Sequence, residues 1–174
     1  MEANCEKPVT AIVIGCGQRG TNYSNYAKEF PKNFQIVAVS DPVKLKRNRV
    51  AKLANLTNSD YIVDDWRKLA QMEKLADCAI ICTQDQMHKE PAITLANKGY
   101  HLLLEKPMSV LEKECEEIAE ACEKNGVILA VCHVLRYFPP VLKMREIIDQ
   151  GLIGKKKSFA SFYRTSKQKN LKTF

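Results

Sequence analysis

A glycine-rich turn directly after an apolar run constrains the fold of this chain more than any other feature. The apolar residues 11–14 lead into residues 15–20, which follow the spacing G-x-G-x-x-G. In this pattern Gly15 permits the tight turn, Gly17 lets the backbone approach a pyrophosphate, and Gly20 lets the next helix pack on the strand. The sequence therefore predicts a strand, a turn and a helix whose free N-terminal amides face an anion.

An acidic residue ends the next apolar run and gives the glycine turn its context. Asp41 follows residues 36–40, about twenty residues beyond the last glycine, where dinucleotide-binding domains place the residue that binds the adenosine ribose. A carboxylate there favours NAD, because it repels the 2′-phosphate of NADP. Lys44, Lys46 and Arg47 lie just downstream and could receive that phosphate, so NADP stays open. The competing interpretation is a strand-turn-helix with incidental glycines.

Strand-like and helix-like segments alternate along the chain, which predicts an α/β fold with a doubly wound parallel sheet of six strands and helices on both faces. The run 78–82 is apolar on both faces and is expected in the centre of the sheet. Ligands of such sheets bind at the carboxyl ends of the strands. Polar residues follow the predicted strands there: Gln18 and Arg19, Asp41, Thr83 to Asp85, Glu105 to Pro107, His133 and Arg136.

Helical periodicity predicts which faces are buried and where helices begin. In the first helix the apolar spacing marks Tyr23, Tyr26, Ala27 and Phe30 as the buried face. A capping box at residues 109–112 should start a later helix with the apolar stripe Leu111, Cys115, Ile118, Ala119 and Cys122. Pro139 and Pro140 suit the first turn of a last helix that reaches Gln150.

Composition excludes several classes of protein. The seven cysteines are scattered without metal-ligand spacing, so buried reduced thiols are expected and a metal is not. No apolar run is long enough for a membrane span and no leader pattern occurs, which predicts a cytoplasmic protein without membrane contact. The net charge of +7 comes from residues 151–174, which hold seven Lys and Arg and no acidic residue. This tail lacks a nucleic-acid-binding module, and a solvated, disordered end is the favoured interpretation over nucleic-acid binding.

Residues 98–109, with Glu-Lys-Pro at 105–107, resemble the Gfo/Idh/MocA oxidoreductases, the group of glucose-fructose oxidoreductase and inositol dehydrogenase. The glycine turn, residues 40–42, Thr83 with His88, residues 136–139 and residues 151–154 agree with this resemblance, which spans residues 9–163. It implies hydride transfer between a nicotinamide cofactor and a hydroxyl carbon of a sugar, cyclitol or similar small molecule.

The resemblance also implies roles for individual residues. Lys106 is the expected catalytic residue, because its ammonium can stabilise charge on the substrate oxygen, although its spacing alone is typical of a surface lysine. Glu105 is expected to orient that lysine or to bind ribose. Pro107 is expected to fix the turn, with either a cis or a trans peptide bond before it. His88 is expected to support the cofactor rather than to act as a general base. The expected cofactor-binding set is Gly15, Gly17, Gln18, Arg19, Gly20, Asp41, Thr83, His88, Glu105, Lys106 and Pro107.

Family members carry a second α/β domain that completes the substrate pocket, and this chain resembles only its start. We therefore expect a truncated chain with a dinucleotide-binding domain at 1–135, a linking helix and first strand of the substrate domain at 136–163, and a basic tail at 164–174. We also expect slow turnover. An uncovered apolar surface is expected around Val134, Leu135, Tyr137 and Phe138, where it favours self-association or the binding of a partner chain. The alternative is a non-catalytic dinucleotide-binding sensor or scaffold. A third possibility is a basic-tailed interaction protein whose Rossmann domain no longer binds a cofactor.

Overall fold

The computed structural model describes residues 7–154. Its sheet has six strands, and all five strand pairs are parallel. The strands are β1 (Val9–Ile14), β2 (Phe34–Ser40), β3 (Ile62–Val63), β4 (Cys78–Ile81), β5 (His101–Glu105) and β6 (Leu129–Cys132). Their order across the sheet is β3-β2-β1-β4-β5-β6, so β1 and β4 occupy the centre, which confirms the central position predicted for β4.

Among residues 7–154, six α-helices connect or follow the strands. They are α1 (Gln18–Glu29), α2 (Lys44–Leu53), α3 (Trp66–Gln71), α4 (Lys89–Asn97), α5 (Glu112–Lys124) and α6 (Pro139–Asp149). The side chains of β1 alternate between two apolar cores: Ala11 and Val13 pack with α1 and α2, whereas Ile12 and Ile14 pack with α3, α4 and α5. Helices thus cover both faces, and the doubly wound α/β fold predicted from the sequence is confirmed.

The sequence order of the strands reverses between β1 and β4. The chain runs from β1 outward to β2 and β3, then returns to β4 and continues outward to β5 and β6. Connections that leave two adjacent parallel strands in opposite directions open a crevice at the carboxyl ends of those strands. The glycine turn after β1 lies at this point.

The buried face of α1 differs from the one that the apolar spacing predicts. Gly20, Ser24 and Ala27 are buried, whereas Tyr26 and Phe30 are 49% and 42% exposed. Small residues bring the helix close to the sheet, and this leaves no room for two large rings on the same face. The two rings instead contact each other, with centroids 4.9 Å apart.

The predicted start of α5 is also wrong in detail. Helix α5 begins at Glu112 with Leu111 as its N-cap residue, and no side chain caps it. Ser109 lies two residues before the cap, where its hydroxyl accepts from the Leu111 amide at 3.3 Å and donates to the Glu114 carboxylate. Leu111 is therefore exposed outside the helix, and Ile118 and Cys122 form the buried stripe.

The described residues fall into two compact units, which divide between His133 and Val134. In the second unit α6 begins with the two prolines, as predicted, and ends at Asp149, one residue before the predicted end at Gln150. Leu135 and Tyr137 are exposed. The strand expected near residues 158–163 and the basic tail lie outside the described residues. The six described cysteines are free thiols. Within residues 7–154 no helix has the length and apolarity to cross a membrane, and no cluster of three or more His, Cys, Asp or Glu residues could hold a metal ion.

Candidate functional site

The glycine turn is built so that two of its glycines cannot be replaced. Gly15 has a φ of +95°, and a Cβ there would lie 2.4 Å from the carbonyl oxygen of Cys82 on the neighbouring strand end. A Cβ on Gly20 would lie 2.2 Å from the carbonyl oxygen of Gly15. Contacts this short are impossible, so glycine is required at both positions for the turn and for the approach of α1.

Gly17 lacks any such packing requirement. A Cβ at Gly17 would meet no atom within 4 Å. Gly17 is also the N-cap of α1, it supplies no side-chain cap, and the first turn of the helix carries no acidic residue. The first amides of a helix have no intrahelical acceptor, so they present partial positive charge to the open space in front of Gly17. This arrangement accommodates an anion such as a pyrophosphate.

Asp41, at the end of β2, is buried and holds the glycine turn. One carboxylate oxygen accepts from the Cys16 amide at 2.8 Å, and the other accepts from the Val43 amide at 2.8 Å. The residue as a whole is 7% exposed. Each oxygen has lone pairs left for a further donor, so the two amides fix the carboxylate without exhausting its capacity.

Basic side chains of α2 surround the same turn. The Arg47 guanidinium donates to the carbonyl oxygens of Asp41 and Pro42, each at 3.2 Å. Arg49 donates to the Thr21 hydroxyl at 3.0 Å. Burial, followed by the Asp41 carboxylate, raises the pKa of the Cys16 thiol to about 12, although Arg49, Arg47 and Lys46 oppose the rise. The thiol therefore stays protonated, and the charge that faces a ligand here comes from the carboxylate and the guanidinium groups.

A cavity of about 450 Å³ lies beside the turn. It is lined by side chains and backbone from four strand ends: Ile14, Gly15, Ser40, Pro42, Asp64, Asp65, Trp66, Arg67, Thr83 and Met87. The Arg67 guanidinium lies 4.9 Å from the centre of the Trp66 ring and forms ion pairs with Asp65 and Glu90. An apolar floor and a charged rim make this a site for a flat ring that carries polar edges.

Glu105 lies at the other side of the crevice, at the end of β5. Its carboxylate is buried, accepts from the Tyr23 hydroxyl at 2.8 Å and from the Lys106 amide at 3.3 Å, and lies 3.7 Å from Arg19 Nε. The next peptide bond, Lys106–Pro107, is cis, which the sequence left open. Lys106 itself is exposed directly after this buried carboxylate. The Glu105 carboxylate thus contacts Lys106 at the backbone amide of the lysine.

His88 is fully buried and connects two segments of the site. Its Nδ1 lies 2.8 Å from the carbonyl oxygen of Pro107, and its Nε2 lies 3.3 Å from that of Thr83. Both ring nitrogens face protein carbonyls, so the geometry favours a supporting role and gives His88 no free nitrogen to act as a base.

The structure places the expected site residues at neighbouring strand ends of the first unit. Gly15 to Gly20 follow β1, Asp41 follows β2, Thr83 follows β4, and Glu105 to Pro107 end β5. His133 ends the first unit and is exposed, while Arg136 belongs to the second unit. Sequence reasoning missed Trp66, Arg67, Arg49 and the hydroxyl of Tyr23. A tryptophan followed by arginine after the β3 strand was the one available signal, because strand ends form the ligand edge of this fold.

Comparison with known proteins assigns the family. The model of the family GFO_IDH_MocA, described as an oxidoreductase family with an NAD-binding Rossmann fold, matches residues 9–133. The chain belongs to this family, and residues 9–133 are its NAD-binding domain.

Several relatives show how much of the family's length this chain represents. The 2,7-anhydro-N-acetylneuraminate hydratase of Escherichia coli (strain K12) is 29% identical over 143 residues, which cover 82% of this chain and 36% of the relative. Two solved structures share the fold at 20% identity. The WlbA dehydrogenase from Bordetella pertussis, in complex with NADH and UDP-GlcNAcA, has a TM-score of 0.72 and is matched over 83% of this chain and 42% of its own. For myo-inositol 2-dehydrogenase from Lactobacillus plantarum the TM-score is 0.74, and the shares are 86% and 43%. The chain spans about two fifths of the length of the relatives that it matches.

Proposed function

We propose that this chain is the cofactor-binding part of an oxidoreductase that transfers hydride between a nicotinamide dinucleotide and a hydroxyl carbon of a sugar, cyclitol or similar small molecule. The observation that carries the proposal is the open space before Gly17, beside two glycines that packing does require. A glycine that the fold does not need, at a helix N-terminus in the central crevice, leaves room for a pyrophosphate.

The remaining parts of a dinucleotide fit the residues around this turn. The cavity beside Trp66 accommodates the adenine, and the spare lone pairs of Asp41 can accept the hydroxyls of the adenosine ribose. The nicotinamide riboside then extends toward Glu105, Lys106 and Pro107, on the other side of β1 and β4. NAD is the proposed cofactor, since the Asp41 carboxylate would repel the 2′-phosphate of NADP. The Arg47 guanidinium beside it could bind that phosphate, so NADP is expected to bind more weakly than NAD.

The bound nicotinamide supplies the acceptor or donor of hydride in this proposal. Lys106 donates hydrogen bonds from its exposed ammonium to the substrate oxygen and stabilises the charge that develops there. Glu105 fixes the Lys106 backbone through the hydrogen bond to its amide, and His88 fixes Pro107 through its carbonyl. The substrate class rests on the family and on relatives such as myo-inositol 2-dehydrogenase.

The test combines binding with turnover. NADH should bind to the purified chain, and reduction of NAD should be measured with a panel of polyols, sugars and nucleotide sugars. Lys106→Ala should abolish any polyol oxidation and retain NADH binding, whereas Lys113→Ala, a lysine on the exposed side of α5, should change neither. Absence of NADH binding would overturn the proposal, and binding without turnover would favour the non-catalytic module.

A further inference from the structure

We propose that Tyr23 is a positioning residue that ties helix α1 to the Glu105-Lys106-Pro107 turn and so sets the nicotinamide half of the site. The inference rests on the proposed function, because it assigns that turn to the nicotinamide riboside. Sequence periodicity treats Tyr23 only as an apolar residue of α1, but the structure gives its hydroxyl two polar contacts.

The hydroxyl of Tyr23 joins helix α1 to the ends of two strands, β5 and β6. It donates to Glu105 Oε1 at 2.8 Å and lies 2.6 Å from the Sγ of Cys132. A phenol carries one proton, so the thiol of Cys132 is the donor in the second contact. Burial and the hydrogen bond to the Glu105 carboxylate hold the pKa of Tyr23 far above its usual value, which keeps the hydroxyl a donor at every physiological pH.

Two side chains from successive turns on one face of helix α1 contact Glu105. Arg19 and Tyr23 are four residues apart, and Arg19 Nε lies 3.7 Å from the carboxylate oxygen that accepts from the hydroxyl. The second carboxylate oxygen accepts from the Lys106 amide at 3.3 Å. One carboxylate oxygen of Glu105 thus contacts side chains of α1, and the other accepts from the backbone amide of the proposed catalytic lysine.

The pyrophosphate end of α1 does not depend on this link. Gly20 and Ala27 pack α1 against the sheet, and the Ser24 hydroxyl donates to the Gly20 carbonyl at 2.6 Å. Removing the Tyr23 hydroxyl therefore leaves the glycine turn and the cavity beside Trp66 in place. It leaves Glu105, which is 5% exposed, with one donor fewer, and a buried carboxylate that loses a donor relaxes toward other partners.

Tyr23→Phe tests this selectively when two ligands are compared. ADP occupies only the glycine turn and the adenine cavity, whereas NADH also reaches the Glu105-Lys106-Pro107 turn. We expect the variant to bind NADH about fivefold or more weakly and ADP within about twofold of the wild type. The fluorescence of bound NADH should shift toward that of free NADH, because it reports the surroundings of the nicotinamide ring. Tyr26→Phe is the matched control, since Tyr26 lies on the same helix with an exposed ring, and should change neither affinity.

Each outcome decides the inference. A parallel loss of ADP and NADH affinity would show that Tyr23 serves only the fold of α1 and would overturn it, as would unchanged NADH binding. If Tyr23→Phe fails to fold, Glu105→Gln weakens the same link from the other side, because a neutral amide oxygen accepts from the Tyr23 hydroxyl less strongly than a carboxylate does. It should lower the NADH-to-ADP affinity ratio, and an unchanged ratio in that variant overturns the inference. Failure of the proposed function is seen separately, in a wild-type chain that binds neither ligand.

Discussion

The amide of Cys16 donates a hydrogen bond of 2.8 Å to the carboxylate of Asp41. The acidic residue at the end of β2 thereby fixes the turn at the end of β1, in addition to the ribose-binding role that we propose for it. This double use makes Asp41 informative for both cofactor choice and loop geometry.

Asp41→Ala should reduce the preference for NAD over NADP. The variant removes the carboxylate that repels a 2′-phosphate and leaves Arg47, whose guanidinium lies 3.2 Å from the backbone carbonyl at this position. Because the Cys16 amide also loses its acceptor, affinity for both cofactors should fall, and NAD should lose more. Calorimetric titration with both cofactors measures this, and tighter binding of NADP by the wild type would show that the basic residues of α2 dominate.

Gly17→Val and Gly20→Ala should fail in different ways. Gly17→Val has space for its side chain in the free protein, so the fold should persist while NADH binding falls at least about tenfold, or about 1.4 kcal/mol. Gly20→Ala places a Cβ 2.2 Å from the Gly15 carbonyl oxygen and should lower the melting temperature before ligand is added. Unchanged affinity in folded Gly17→Val would remove the assigned pyrophosphate site.

A structural feature of this chain can be predicted from the sequence when the residues that cause it are close together in the sequence. The glycine turn, Asp41 and the alternation of strands and helices are contiguous patterns, and they predict the sheet, its parallel pairing and the position of the crevice. The buried face of α1 could not be predicted in the same way, because Gly20 and Ala27 approach the sheet only in the assembled fold. The link between Tyr23 and Glu105 joins residues 82 positions apart and has no local signature.

Trp66 provides an intrinsic probe of the proposed adenine site. It is the only tryptophan of the chain and it lines the cavity beside the glycine turn. ADP should therefore change the emission of Trp66, and NADH should quench it further through energy transfer to the nicotinamide. Titration of Gly17→Val under the same conditions is the control and should show a response only at higher ligand concentration. Calorimetric binding of ADP with constant tryptophan emission would place the adenine elsewhere.

The buried thiol of Cys16 predicts a loss of stability at alkaline pH. Its pKa is raised from 9.0 to about 12, so above pH 9 the unfolded chain releases a proton that the folded chain keeps. The free energy of unfolding should then fall as pH rises, by up to about 1.4 kcal/mol per pH unit for this group. Cys16→Ala lacks this proton, so the stability advantage of the wild type over the variant in urea unfolding should shrink between about pH 7 and about pH 10. A constant difference across that range would contradict the buried, protonated thiol.

A crystal structure of this chain grown with NADH tests the central claim most directly. The account predicts the pyrophosphate within hydrogen-bonding distance of the first amides of α1, the adenine in the cavity beside Trp66, and the nicotinamide riboside at the turn that carries Lys106. A dinucleotide bound at any other surface, or a crystal from saturating NADH whose glycine turn carries no ligand, would contradict it.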